Sequence, residues 1–154
     1  MSASPTRPAG GGIPTQLPGV DEALGLRLEA VCAEGWAISD QILEVRQERF
    51  HPFIAGNYEL VLKTLVRHRA PRVRFLEWGS ATGVITILAD LLGFEAFGIE
   101  LDSSLVATAR GLAERHRSGA RFAAGSLIPE GYRWRPRDGD GRTGTLGTGE
   151  PGYL

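Results

Sequence analysis

Between Arg72 and Ile85 the chain reads "RVRFLEWGSATGVI", an apolar run that passes through small residues into a helical apolar pattern. A strand turning this tightly into a helix needs small residues so that the backbone can approach a ligand closely, which Gly79, Ala81 and Gly83 supply. "VITILADLL" then sets Val84, Ile87, Leu88 and Leu91 on one face, with Gly93 placed to end the helix. "EAFGIE" is a second strand. The next helix carries Leu105, Ala109, Leu112, Ala113 and His116 inward, with Ser103 as its expected cap, and "ARFAAGS" is a third strand. Strand, helix, strand, helix, strand with short connections calls for parallel strands. The fold class is α/β: part of a Rossmann-like, doubly wound parallel sheet, preceded by N-terminal helices.

Those helices come from residues 20–70. Asp21 is placed to cap a helix with Leu24, Leu28, Val31 and Cys32 inward; Gly35 is expected to break or bend it. A further helical stretch shows Ile38, Ile42 and Val45 on one face. After the "HPF" joint at His51 to Phe53, Asn57 is set to cap a helix with Tyr58, Val61, Leu62, Leu65 and Val66 as its stripe. Residues 1–19 are rich in Pro, Gly, Ser and Thr and read as a disordered tail. Residues 71–131 form the ligand-binding unit, and residues 132–154 read as a glycine-rich tail or a long loop cut in mid-course.

Composition sets limits on partners and compartment. At 154 residues and 42% hydrophobic, the chain supports one core, and a formal net charge of −1 leaves no electrostatic footprint for nucleic acid or anionic membrane. Cys32, the lone cysteine, has no partner for a disulfide or zinc site and reads as a small core residue. His51 and His68 lack metal-ligand spacing and read as a junction and a surface residue; no metal is expected. With no apolar run of membrane-spanning length and no signal-peptide pattern, the cytoplasm is the expected compartment.

A glycine-rich strand-to-helix turn is shared by all dinucleotide-binding folds, so the discrimination lies in detail. The nicotinamide fingerprint would place small residues at 79, 81 and 84, but position 84 is Val. Glu77, at the mouth of the turn, suits a cationic ligand and would repel a pyrophosphate. Glu100 ends the second strand about twenty residues beyond the glycines, where a carboxylate can accept hydrogen bonds from both hydroxyls of a ribose.

Glu77, Gly79 and Gly83 with "GIE" at 98–100 resemble motifs I and II of the class I S-adenosylmethionine-dependent methyltransferases, over residues 72–131. The resemblance implies that Glu77, Gly79, Ser80, Ala81 and Gly83 surround the methionine portion of S-adenosylmethionine, that Glu100 holds its ribose, and that Leu101 lies against its adenine. Gly125 and Ser126 occupy the position where the family often carries an adenine-binding acid; Ser126 substitutes for it here. Ala81 stands where the family has its middle glycine. Asp102 reads as a helix cap, and Trp78 as packing beneath the turn.

The family sheet has seven strands in the order 3-2-1-4-5-7-6, and only strands 1 to 3 are found here. Strand 1 is therefore expected to be an exposed apolar edge, and the chain alone to be marginally stable and inactive. The N-terminal helices are expected to cap the acceptor side, with His51, Phe53, Asn57 and Tyr58 near the site. No catalytic base can be named, and the acceptor is unknown. Two other functions fit the pattern: an NAD-binding Rossmann domain, and a non-catalytic remnant serving interaction.

Overall fold

The computed structural model describes residues 17–46 and 56–126. Helix α1 spans Glu22–Arg46, α2 Tyr58–Arg67, β1 Arg74–Trp78, α3 Val84–Leu91, β2 Glu95–Glu100, α4 Ser103–Arg115 and β3 Arg121–Ala124. The doubly wound pattern is present as a three-stranded parallel sheet ordered β1-β2-β3.

Each helix begins where a short polar side chain can satisfy an orphan amide, except α3. Asp21 Oδ1 accepts from the Leu24 amide at 2.8 Å, and Asn57 Oδ1 accepts from the Leu60 amide at 3.1 Å. Asp102, and not Ser103, is the N-cap of α4: its carboxylate accepts from the Ser104 amide at 2.7 Å. An acid one residue earlier reaches the second amide, which leaves Ser103 as the first helical residue. α3 instead starts from Gly83, at φ 79°.

Gly35 does not break α1, which runs unbroken for 25 residues. It is buried, and a Cβ placed there would lie 2.5 Å from Val84 Cγ2, so the missing side chain lets α1 close onto α3. Ser39 Oγ donates to the Gly35 carbonyl at 2.8 Å within the same buried seam. Leu28, Val31 and Cys32 of α1, Tyr58, Leu62 and Leu65 of α2, and Val84, Ile87 and Leu88 of α3 share one core with Ala109, Leu112 and Phe122. Burial, with Glu29 nearby, pushes the Cys32 thiol up to about 12, in keeping with a packing residue. His68 is exposed at the end of α2. His116 ends α4 and, with Arg115, grips Glu34 of α1 at 2.7 and 2.6 Å.

Alternation along the strands divides the sheet into two unlike faces. Phe75, Glu77, Ala96, Gly98 and Phe122 point toward the helices, in registers Glu77↔Gly98 and Gly98↔Phe122. Leu76, Trp78, Phe97 and Ile99 point the other way, where the Arg121 guanidinium lies 4.2 Å over the Phe97 ring. Leu76 is 57% and Trp78 72% exposed. Trp78 therefore does not pack beneath the turn: a residue next to Glu77 on a strand must face the opposite side. Among the described residues no helix is long and apolar enough to cross a membrane.

Two glycines of α1 give a signed test of this packing. At Gly25 a Cβ meets nothing within 4 Å, so Gly25→Ala should stabilise the fold by up to about 1 kcal/mol through helix propensity. Gly35→Ala gains the same propensity but overpacks against the β-branched, buried Val84, at a cost of about 1–3 kcal/mol. Urea unfolding should show the two substitutions moving the midpoint in opposite directions.

Candidate functional site

The site forms where parallel strands end and their chains turn into helices. At the end of β1 the backbone doubles back through residues 79–83, with φ of 73° at Gly79, 45° at Ala81 and 79° at Gly83. The three positions serve different needs. At Gly79 an added Cβ would meet nothing within 4 Å, so the requirement is conformational and the turn stays open on that side. At Gly83 a Cβ would fall 2.6 Å from Ala109 Cβ and 2.7 Å from the Phe122 ring, so this glycine is demanded by packing against α4 and β3. Ala81 takes the left-handed conformation despite its methyl group, a backbone strain of about 1 kcal/mol.

Four of the loop amides are engaged within the protein. The Gly79 and Ser80 amides donate to the Ile99 carbonyl at 2.9 and 3.0 Å, and the Gly83 amide donates to the Ser80 carbonyl at 2.7 Å. The Ala81 amide donates to Glu100 Oε2 at 2.9 Å, while Glu100 Oε1 accepts from the Asp102 amide at 3.0 Å. Glu100 thus clamps the turn to the end of β2, and each oxygen retains a lone pair for a further donor.

Glu77 occupies the N-terminus of α3. Its Oε2 accepts from the Thr86 amide at 3.0 Å and from Thr86 Oγ1 at 2.5 Å. Burial pushes this carboxyl up to about 7, against the two Thr86 hydrogen bonds, and the Glu100 charge adds to the rise. Thr86 is wholly buried and escaped the sequence reading; its signal was a single hydroxyl in the apolar run "VITILADL".

The other expected residues separate into groups. Leu101 is 53% exposed next to Glu100, an apolar surface at the strand end. The Gly125 amide donates to the Glu100 carbonyl at 2.9 Å, which brings the end of β3 alongside, and Ser126 follows it on the exposed surface. Ser80 lies in the turn with its side chain directed onto β2. Its hydroxyl is buried without a hydrogen-bond partner, lying over Gly98, where a Cβ would come within 2.7 Å of it. Tyr58 is 5% exposed, its ring 4.9 Å from that of Trp36, and burial pushes its hydroxyl up to about 12 despite a bond with Ser39. It is a core residue, and Asn57 is spent on capping α2. His51 and Phe53 lie outside the described residues. Among the described residues no group of three or more His, Cys, Asp or Glu could hold a metal.

Glu77 makes the site costly to the fold at high pH. A carboxyl raised from 4.5 to about 7 leaves stability intact below pH 4.5 and lowers it as pH rises toward 7. Glu77→Gln should remove this dependence and raise stability at pH 8 by roughly 2 kcal/mol, measured by denaturant unfolding at pH 4.5 and 8. Ala81→Gly, which relieves the strained φ, should add about 0.5 kcal/mol at either pH.

No protein-family model matches the chain. It is 37% identical over 78 residues to the ribosomal protein L11 methyltransferase of Thermus thermophilus, covering 49% of this chain and 31% of that protein. The ribosomal protein L11 methyltransferase of Ralstonia nicotianae is 36% identical over 73 residues, covering 47% and 24%. The chain thus spans about a third or less of the length of these curated relatives. Among solved structures, the tRNA (uracil-54, C5)-methyltransferase of Pyrococcus abyssi in complex with S-adenosyl-L-homocysteine aligns at TM-score 0.42 and 20% identity, over 56% of this chain and 24% of that one. On the sequence relatives and the motif together, the chain is a partial-length relative of the class I S-adenosylmethionine-dependent methyltransferases.

Proposed function

We propose that this chain forms the S-adenosylmethionine-binding part of a methyltransferase. The observation that carries the reading is the placement of Glu77 on the N-terminus of α3, with Glu100 close enough to raise its pKa. A helix N-terminus is the place where dinucleotide-binding folds receive phosphate. Here the protein's own carboxylate fills it, and the amides of residues 79, 80, 81 and 83 already have acceptors. Two neighbouring acids, with four of the loop amides already engaged, disfavour a pyrophosphate and favour a cation. That weighs against the NAD-binding alternative.

The residues present fit the donor. Glu77 Oε1, which takes no hydrogen bond from the described residues and is not sealed, would receive the ammonium group; the open side of Gly79 leaves room beside it. Glu100 would accept from the ribose hydroxyls with its remaining lone pairs, and Leu101 would offer its exposed surface to the adenine. Gly83 acts through packing alone. When bound, the donor supplies an electrophilic methyl group, so the protein's task is chiefly alignment. No described residue is assigned as a base. The relatives are named for ribosomal protein L11, which makes a protein the first acceptor to test. The bare face bearing Leu76 and Trp78 supports the view that transfer needs elements beyond those described.

Calorimetry should show S-adenosylhomocysteine binding and no NADH binding. Affinity should rise as pH passes upward through about 7, because the ionised Glu77 is the form that attracts ammonium. A preference for NADH, or binding that strengthens as pH falls, would sink the proposal.

A further inference from the structure

Thr86 contributes two donors to one carboxylate oxygen, and it does so from a position with no other polar work. It is fully buried in the middle of apolar neighbours, in an eight-residue helix where alanine would satisfy packing and favour the helix more. A buried hydroxyl needs a partner, and Glu77 Oε2 is at 2.5 Å. The amide of the same residue, at 3.0 Å, fixes the same oxygen from a second direction. Among the described residues Glu77 is thereby held by one oxygen only, and Oε1 receives no donor from them.

Resting on the donor-site reading above, we propose that Thr86 is the positioning residue of this site: its hydroxyl pins Glu77 Oε2, so that Oε1 is presented to the cationic end of the donor. Thr86 itself touches no ligand. The charged and titratable surroundings leave it this task. Glu77 faces Glu100 at the end of β2 and the buried Tyr58 hydroxyl of α2, behind which lies Cys32 of α1. Among the described residues no Lys, Arg or His pairs with Glu77. Two hydrogen bonds from one threonine are therefore what opposes burial and favours the ionised carboxylate.

The test compares wild type, Thr86→Val and Thr86→Ser in the full chain. Thr86→Val preserves shape and removes the hydroxyl; Thr86→Ser restores it. Two readouts are followed: the Glu77 carboxyl titration by ¹³C NMR without ligand, and S-adenosylhomocysteine affinity from pH 6 to 9. In Thr86→Val the titration midpoint should move upward, and affinity at pH 7.5 should fall roughly tenfold, the loss of about one hydrogen bond. Thr86→Ser should return both toward wild type. A Thr86→Val variant that titrates and binds as wild type does would overturn the proposal, as would a Thr86→Ser variant no better than Thr86→Val. If Thr86→Val does not fold, Thr86→Ala takes its place in the same comparison. Failure of wild type to bind S-adenosylhomocysteine would remove the donor reading, while the ligand-free titration would still decide whether Thr86 controls Glu77.

Discussion

The carboxylate of Glu77 is lodged at the start of α3, and the rest of the site is arranged around it. The residues on either side of Glu77 point away from the helices, so the strand delivers this one acid to the helical face at the mouth of the turn. The helix end receives it, because unsatisfied amides there favour negative charge. Burial opposes the charge, and the balance leaves the carboxyl near neutrality. A fold built for stability alone would put an uncharged cap at this position. Keeping a half-ionised acid there is a cost that a cationic ligand would offset, because pairing restores the charge in a place where water cannot.

The glycine-rich turn is held from outside by Glu100, which joins its middle amide to the start of α4. The turn and the two acids thus form one hydrogen-bonded unit spanning β1, β2 and two helices. The amides of residues 79, 80, 81 and 83 are thereby part of the scaffold and not open to a phosphate. The unit also gives Ala81 a place in the architecture. Its strained backbone is stabilised by the bond from its own amide to Glu100.

The two faces of the sheet show how local chemistry and completeness diverge. Toward the helices, Gly98 lets Ser80 lie flat on β2, and Gly83 admits Phe122, so the described core closes tightly on that side. The opposite face carries Leu76, Trp78, Phe97 and Ile99, of which Leu76 and Trp78 are largely exposed. Their apolar character is unfavourable in water and makes sense for a sheet buried on both sides, as parallel sheets are.

The sequence by itself determined the order and type of the elements, the caps at Asp21 and Asn57, and the two acids. Strand alternation, helical periodicity and glycine tolerance act over a few residues and are written in the chain. Tertiary structure decided what each small or polar residue is for. Gly35 was expected to break a helix because its propensity is poor; it admits Val84 instead, a contact that exists only once α1 meets α3. The Ser80 hydroxyl is buried against β2, because Gly98 on the neighbouring strand leaves the space. Thr86 was invisible in its apolar run and becomes the partner of Glu77, since the turn between them folds positions nine apart in sequence to within a hydrogen bond. Propensity is a property of a residue, but burial, clash and partnership are properties of what lies across from it.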